Sequence, residues 1–214
     1  MGRLSIQSIV FDMMENCVEH PLFGGALSSA FPLRFQDLSN IREVPDNQEV
    51  FADPNRDEIL IFELLELKND VQDAGSAVWF LQDLASEQND DGEVVLEYSS
   101  TTEEADALRY RDIPAIVSSA IGQTAISKER QGREAQNIVR VYLANVRLKG
   151  VATDVLITAY EPILINPLSV SAQTVGAGLA TPAIQAGCLA MSDVFKAAVS
   201  SFKVHEWSVF GSGA

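Results

Sequence analysis

One segment in the second half of the chain constrains the fold more than any other: residues 138–148, which read IVRVYLANVRL. Alternate side chains of a β-strand point to opposite faces of its sheet. Drawn as a strand, this segment is largely apolar on both faces, a pattern typical of a central strand that is covered on both sides. The segment therefore predicts a layered domain with a sheet in its middle.

Strand-like runs lie close to this segment on either side. Residues 115–127 precede it, residues 153–161 follow it, and the connections are short. Connections of this length join antiparallel strands, because parallel neighbours need a longer crossover. A further short strand is predicted over residues 93–98, between acidic loops. The sheet is thus expected to be antiparallel.

Two amphipathic helices accompany the predicted sheet. The clearer one covers residues 73–88, where Asp73 or Ser76 is a suitable cap and Trp79 is interpreted as a core residue rather than a ligand platform. The last helix follows residue 190, with Ser192 or Asp193 as its expected cap. Its predicted buried stripe consists of Met191, Val194, Phe195, Ala198, Val199 and Phe202. The residues by themselves therefore indicate an α+β domain of two or three layers.

The uncharged stretch of residues 166–190 has the length of a membrane span. It also contains two prolines, several glycines and polar amide side chains, and hydrocarbon would leave their polar groups unsatisfied. We interpret this stretch as a loop that follows the surface. After the last helix, Trp207 or Phe210 is expected to pack back on the sheet.

The negative charge of the chain is concentrated in its first half. The formal net charge is −15; residues 1–106 hold 23 Asp and Glu against 5 Lys and Arg, whereas residues 107–214 hold 7 against 10. Neutralising phosphates needs a basic stripe, so this charge argues against nucleic acid and against anionic membranes as partners. It favours a basic protein surface, bound with an affinity that depends on salt.

Residues 37–66 hold the most informative patterns of the acidic half. Val44–Asn47 is predicted as a turn, since a proline and an Asp-Asn pair suit its positions. A short strand is expected over Gln48–Ala52. The apolar run Ile59–Leu67 fits either a buried strand or a helix, and its length and the short connection back to the preceding strand favour the strand.

Glu63 and Glu66 interrupt that apolar run. In a helix they would share one face at positions i and i+3; in a strand they would lie near its exit, where both carboxylates reach solvent. Two interpretations stay open at this point. The pair consists either of solvated residues at an edge or of a docking point for a basic partner.

Signatures of covalent chemistry and of cofactor binding are missing from the sequence. There is no GxxxxGK[ST] phosphate loop, and the two histidines, His20 and His205, lack a nucleophile motif such as GxSxG. Cys17 and Cys188 have no metal-ligand spacing and fit a reducing compartment. We expect no cofactor, no metal and no catalytic residue. A hydrolase with an unrecognised carboxylate or His20 site is the lesser alternative.

Four stretches, in their order and at their spacing, resemble the Ran guanine nucleotide release factor family: PLFGGALSSAFP, DLSNIREVPDNQEVF, DEILIFELLELK and SAVWFLQDLA. The later stretches QGREAQNIVRVYLANVRLK and TDVLITAYEPILINP are similar to its plant-type members. The resemblance covers roughly residues 21–212.

The resemblance implies an antiparallel β-sheet flanked by helices, similar to the extrinsic oxygen-evolving-complex subunits of the thylakoid lumen. We therefore expect an α+β fold with helices on both faces of the sheet, a three-layer α/β/α sandwich. The resemblance also implies binding to the small GTPase Ran, promotion of guanine nucleotide release, and support of nuclear protein import by binding rather than by covalent chemistry. The residues that it implies as Ran contacts are Glu63, Glu66, Asp46, Gln48 and Glu49.

The expected organisation is a mobile tail over residues 1–20 and a single Ran-binding domain over residues 21–214. We expect a monomer in the nucleus and cytoplasm. The alternative function is a structural subunit of a photosynthetic complex that shares the fold. Asp12, Glu15 and Glu19 argue against it, because acidic residues are wrong for a transit peptide.

Overall fold

Two antiparallel sheets make up most of the fold. The computed structural model describes residues 16–39, 41, 43–88, 93–100, 103–127 and 132–211. The strands are β1 (Cys17–Leu22), β2 (Leu27–Pro32), β3 (Gln36–Asp37), β4 (Gln48–Asp53), β5 (Glu58–Glu66), β6 (Val95–Ser99), β7 (Glu103–Tyr110), β8 (Ile113–Ile126), β9 (Asn137–Leu148), β10 (Thr153–Ile165), β11 (Gly178–Leu179) and β12 (Lys203–Val204).

The larger sheet has the strand order β3-β4-β5-β10-β9-β8. Both β6 and β7 pair with the side of β8 that faces away from β9, and β11 pairs with the end of β10. The smaller sheet has the order β1-β2-β12. Strand β9 lies between β8 and β10, and most of its side chains are buried, on both faces. This confirms the central strand predicted from residues 138–148.

Helices cover both faces of the larger sheet, as expected. The helices are α1 (Ser76–Gln88), α2 (Ser171–Val175) and α3 (Met191–Ser200). On the side that we call the α1 face, Phe80 and Leu81 pack against Val141, Leu143 and Leu156. On the opposite side, the α3 face, α3 and the smaller sheet bury a larger core, which includes Phe31, Phe62, Ile157, Met191 and Phe195. The fold is the predicted α+β sandwich of three layers, with the smaller sheet added to one of them.

The tail predicted over residues 1–20 is wrong for its last four residues. Cys17 to His20 belong to β1, and the whole of β1 pairs with β2. The ring of His20 stacks on Phe31 with 3.9 Å between ring centroids. These backbone and ring contacts order residues that carry no periodic pattern of their own, while residues 1–15 lie outside the described part of the chain.

Two local expectations are also corrected. The residue before α3 is Ala190, which makes no side-chain capping bond, so neither Ser192 nor Asp193 is its cap. The acidic loop predicted up to residue 106 is wrong for residues 103–106, which belong to β7 (Glu103–Tyr110). A strand at the margin of a sheet tolerates charged side chains because one of its edges faces solvent.

The C-terminal part of the chain follows the sequence-based expectations. Residues 166–190 form a surface loop that includes the short α2 and β11. Trp207 and Phe210 pack against the core of the α3 face. None of the helices within the described ranges has both the length and the apolar character that a membrane span requires.

A buried ion pair fixes the segment that follows β5. The guanidinium of Arg147 on β9, 2% exposed, lies 3.0 Å from the carboxylate of Asp154, 0% exposed, and 3.0 Å from that of Asp73. It also donates to the carbonyls of Lys68 (2.6 Å) and Val71 (2.7 Å), while Asp154 accepts the Lys68 amide (2.8 Å). These bonds hold the connection between β5 and α1 against the sheet.

Asn145 on β9 is a buried polar residue whose side chain makes no hydrogen bond among the described residues. Its side chain is fully buried, and neither its amide oxygen nor its amide nitrogen has a hydrogen-bond partner among the described residues. A buried group left unsatisfied in this way costs about 1–3 kcal/mol. We expect Asn145→Leu, which is similar in shape, to raise the free energy of unfolding by about 1 kcal/mol, measured by urea denaturation.

Asn137 on the same strand provides the matched control. It is also buried, but it donates to Ser171 (3.1 Å) and accepts the Asn166 amide (2.8 Å). Asn137→Leu is therefore expected to lower stability, because it removes bonds that the fold makes. A loss of stability for Asn145→Leu as large as that for Asn137→Leu would contradict this account.

Candidate functional site

The turn predicted over Val44–Asn47 lies one residue later, over Pro45–Gln48, and packs against the exit of β5. The Gln48 amide donates to the Pro45 carbonyl (2.9 Å), which places Asp46 and Asn47 at the centre of the turn. The Asn47 carbonyl accepts the Leu64 amide (2.9 Å), and the Asn47 side chain donates to the Leu64 carbonyl (3.2 Å). The turn is thereby fixed beside the end of β5.

The strand conformation of β5 decides where its two acidic side chains point. The run Ile59–Leu67 is a strand, as favoured from the sequence, and it pairs with β4 on one side and β10 on the other. Because strand side chains alternate, residues three apart lie on opposite faces. Glu63 therefore lies on the α1 face and Glu66 on the α3 face. Both reach solvent, since Glu63 is half-buried and Glu66 is exposed.

Glu63 belongs to a connected polar patch on the α1 face. Gln48, the residue of β4 directly opposite Glu63, donates to the Glu63 carboxylate at 2.7 Å. The side-chain amide nitrogen of Asn47 lies 3.5 Å from the same oxygen. On the β10 side, burial raises the pKa of the Tyr160 hydroxyl, and the charges of Glu63 and Glu87 raise it further. The α1 face thus brings Asn47 of the turn, Gln48 of β4 and Tyr160 of β10 close to Glu63.

Glu49 faces the opposite way and is already engaged. Its carboxylate accepts the Phe23 amide at 2.5 Å, and Phe23 has a left-handed backbone with a φ of 49°. Burial raises the pKa of Glu49, and the bond from Phe23 opposes that rise. The Glu49 side chain therefore holds the loop between β1 and β2. Gln48 contacts Glu63 on the α1 face instead, and Asp46 lies in the turn.

Three of the predicted site acids carry charge that no nearby cation neutralises. Among the described residues, Asp46, Glu63 and Glu66 form no ion pair. At the other end of the β4–β5 hairpin, by contrast, Asp53 and Glu58 both contact Arg34, at 2.9 and 2.5 Å. The first group is available to a basic partner, whereas the second is part of the fold.

The two histidines have structural partners. His20, stacked on Phe31, hydrogen-bonds with the Phe31 carbonyl (3.1 Å), and burial lowers its pKa. His205 Nε2 lies 2.8 Å from the Ser28 hydroxyl, which also donates to Glu19 at 2.7 Å. Glu19 contacts the serine and not the imidazole, so these groups lack the acid–His–Ser order of a hydrolase relay. Within the described ranges, no group of His, Cys, Asp or Glu is placed to hold a metal ion.

The sequence did not indicate that Tyr160 lies near both Glu63 and Glu87. Tyr160 comes from β10, which pairs with β5 in a register that places Leu156 opposite Glu63. Glu87 comes from the last turn of α1. No local pattern links these segments, because their proximity depends on strand pairing between distant parts of the chain.

The chain is similar in sequence to a known protein family and to several of its members. Residues 20–162, which contain the turn, β4, β5 and α1, match the sequence profile of the family described as "Ran-interacting Mog1 protein". A zebrafish (Danio rerio) protein named Ran guanine nucleotide release factor is 38% identical over 157 residues, which cover 72% of this chain and 84% of that protein. A fission yeast (Schizosaccharomyces pombe) protein named Nuclear import protein mog1 is 32% identical over 144 residues, 66% of this chain and 75% of that protein.

A solved structure shares the fold. The crystal structure of the Saccharomyces cerevisiae Ran-binding protein Mog1p superposes with a TM-score of 0.61 at 21% sequence identity. The superposition covers 92% of this chain and 100% of that chain. The arrangement of sheet and helices described above is therefore that of a known protein structure.

Proposed function

The chain belongs to the Ran-interacting Mog1 family, and from this we propose that it binds the small GTPase Ran and promotes release of guanine nucleotide from it, in support of nuclear import. The observation that carries the proposal is the family match, because it spans the whole of the candidate site. The names of the relatives favour this function over a photosynthetic subunit.

The proposed mechanism is competition between two binding events on Ran. A GTPase holds the phosphates of its nucleotide with a lysine and Mg²⁺. A protein that binds the nucleotide-free state more tightly weakens nucleotide binding by the same factor, because coupling between two binding sites is reciprocal. Carboxylates on this chain would pair with basic groups that the departing phosphates leave without a partner.

We propose that Glu63, Glu66, Asp46 and Gln48 contact Ran, and that Glu49 supports them. Asp46 and Glu66 are exposed and Glu63 is half-buried, and none of the three has a cationic partner within the described ranges. Gln48 donates to Glu63 at 2.7 Å and so fixes its carboxylate. Glu49 acts indirectly, because its carboxylate holds the loop at Phe23.

The proposed mode of action is binding without covalent chemistry, by a monomer whose single Ran-binding domain begins with β1 at Cys17 rather than at residue 21. The proposed locations are the nucleus and the cytoplasm, since a factor that supports nuclear import meets Ran in both. Fluorescence microscopy of a tagged chain and size-exclusion chromatography with light scattering test these two points.

Release of fluorescent nucleotide from Ran tests the proposed function. Ran loaded with a fluorescent GDP or GTP is mixed with increasing amounts of the chain, and we expect release to accelerate until it saturates. Added salt should weaken the effect, because screening reduces attraction between charged surfaces. A different small GTPase, loaded with the same nucleotide, is the control. Release from Ran at its intrinsic rate, at every concentration and for both nucleotides, would contradict the proposal.

A further inference from the structure

A groove at the exit of β5 lies next to the proposed Ran contacts. It has a volume of about 540 Å³ and runs between the end of β5, the segment that follows β5, and α1. The side chains that matter for its chemistry are Leu65, Glu66, Lys68, Asp70, Trp79 and Asp83. We call it the Trp79 groove.

Trp79 gives the groove an aromatic wall. The indole is half-buried and meets the ring of Phe80 edge to face, with 5.0 Å between centroids. The ammonium group of Lys68 lies over the Trp79 ring at 5.1 Å from its centroid. A cation within about 6 Å of a tryptophan face is attracted by the ring quadrupole. In this structure Lys68 occupies that position over the ring, and a cation from a partner would take the place of Lys68 there.

The rim of the groove is acidic and not neutralised. Glu66, Asp70 and Asp83 are exposed, and within the described ranges none of them forms an ion pair. Asp73, a few residues along, differs from them because it contacts both Arg147 (3.0 Å) and Lys149 (2.7 Å). The lining of the groove thus includes three acidic residues and one cationic residue, Lys68.

The groove continues the surface assigned to Ran. Leu65 lies on the same face of β5 as Glu63, two residues further along the strand. Glu66 lies at the mouth of the groove. The groove therefore opens on the α1 face, next to Glu63, and a partner that contacts Glu63 on this face lies beside it.

We propose that the Trp79 groove receives a lysine or arginine side chain of Ran, an inference that rests on the proposed function. The apolar stem of such a side chain packs on Leu65 and Trp79, and its charged head lies near the exposed carboxylates of Asp70 and Asp83. Charge complementarity selects this occupant, because the acidic rim repels nucleic acid and anionic lipid. With this groove, the proposed contact surface for Ran includes residues of α1 in addition to the acidic residues of β5.

Fluorine NMR on the intact chain tests the proposal directly. The sequence has two tryptophans, Trp79 and Trp207, so incorporation of 5-fluorotryptophan gives two signals that single substitutions assign. Trp207 belongs to the core of the α3 face, where its ring lies 5.0 Å from that of Tyr110. On addition of unlabelled Ran, we expect the Trp79 signal to shift and the Trp207 signal to keep its position. A bound complex in which the Trp79 signal does not shift would overturn the inference and leave the proposed function standing.

The matched variants are Trp79→Leu and Trp207→Leu. We expect Trp79→Leu to weaken Ran binding about threefold to thirtyfold, the range that corresponds to loss of one cation–π contact. Trp207→Leu should bind Ran as the unmodified chain does, and circular dichroism checks that both variants are folded. Equal affinities for the unmodified chain and a folded Trp79→Leu would overturn the inference. Absence of Ran binding by the unmodified chain would overturn it together with the proposed function.

Discussion

Glu63→Lys is expected to reduce the acceleration of nucleotide release from Ran at least about tenfold while the fold persists. Removing one member of a desolvated charge pair costs about 2–5 kcal/mol, and reversal of its sign adds repulsion. Glu63 is suited to this role because it is half-buried and fixed by Gln48, yet has no cationic partner within the described ranges. The measurement is the release rate of fluorescent nucleotide at a series of concentrations. Glu66→Lys should behave in the same way.

Two controls separate the site from general charge effects. Glu104→Lys changes the net charge equally, but Glu104 is an exposed residue of β7, at the opposite margin of the larger sheet from β4. It should leave release nearly unchanged. Glu63→Gln removes the charge but keeps an oxygen that accepts from Gln48, so an intermediate effect is expected. Release by Glu63→Lys at the rate of the unmodified chain would remove Glu63 from the contact surface.

Arg147→Met is expected to lower the free energy of unfolding by about 3–5 kcal/mol, the cost of breaking a buried ion pair from one side. Asp154 is fully buried, and the substitution leaves its charge without a cation. The carbonyls of Lys68 and Val71 lose their donors as well. Urea denaturation measures the loss, and hydrogen exchange should show faster exchange in the connection between β5 and α1.

Arg140 on the same strand is the matched control for Arg147. Its guanidinium pairs with Glu97 at 2.7 Å, but both side chains are 30% exposed. Pairs at the surface contribute about 1 kcal/mol or less, so Arg140→Met should cost far less than Arg147→Met. The double variant Arg147→Met, Asp154→Leu should recover part of the lost stability, because it buries no orphan charge. Equal losses for Arg140→Met and Arg147→Met would refute this explanation.

The layered fold was predictable because its evidence is local. The apolar pattern on both faces of residues 138–148 reflects the real environment of β9, whose side chains are buried under α1 and under α3. The turn at Asp46 and Asn47 was also predictable, since its chemistry lies within four residues. The N-terminal boundary was not, because contacts with β2 and with Lys203 of β12, rather than a short local pattern, order Cys17 to His20.

The geometry of the site depended on information that no short stretch contains. Glu63 and Glu66 share a face in a helix and lie on opposite faces in a strand, and pairing with β10 decides between the two. Glu49 reaches Phe23, 26 positions away, and Arg147 reaches Asp73, 74 positions away. Such contacts have no periodic signature, so the sequence indicated the acidic residues and not their division between two faces.

The pairing of β5 with β10 also bears on how the chain is made. Each residue of β5 from Ile59 to Glu66 has its β10 partner between 87 and 101 positions later in the chain. During synthesis, β5 therefore leaves the ribosome long before β10 exists, with one backbone edge and the apolar side chains of Leu60 and Phe62 uncovered. Non-local pairing of this kind forms late and slowly. The newly made β4–β5 hairpin thus exposes an unpaired edge and apolar side chains, the kind of surface that a chaperone covers, until β10 is made.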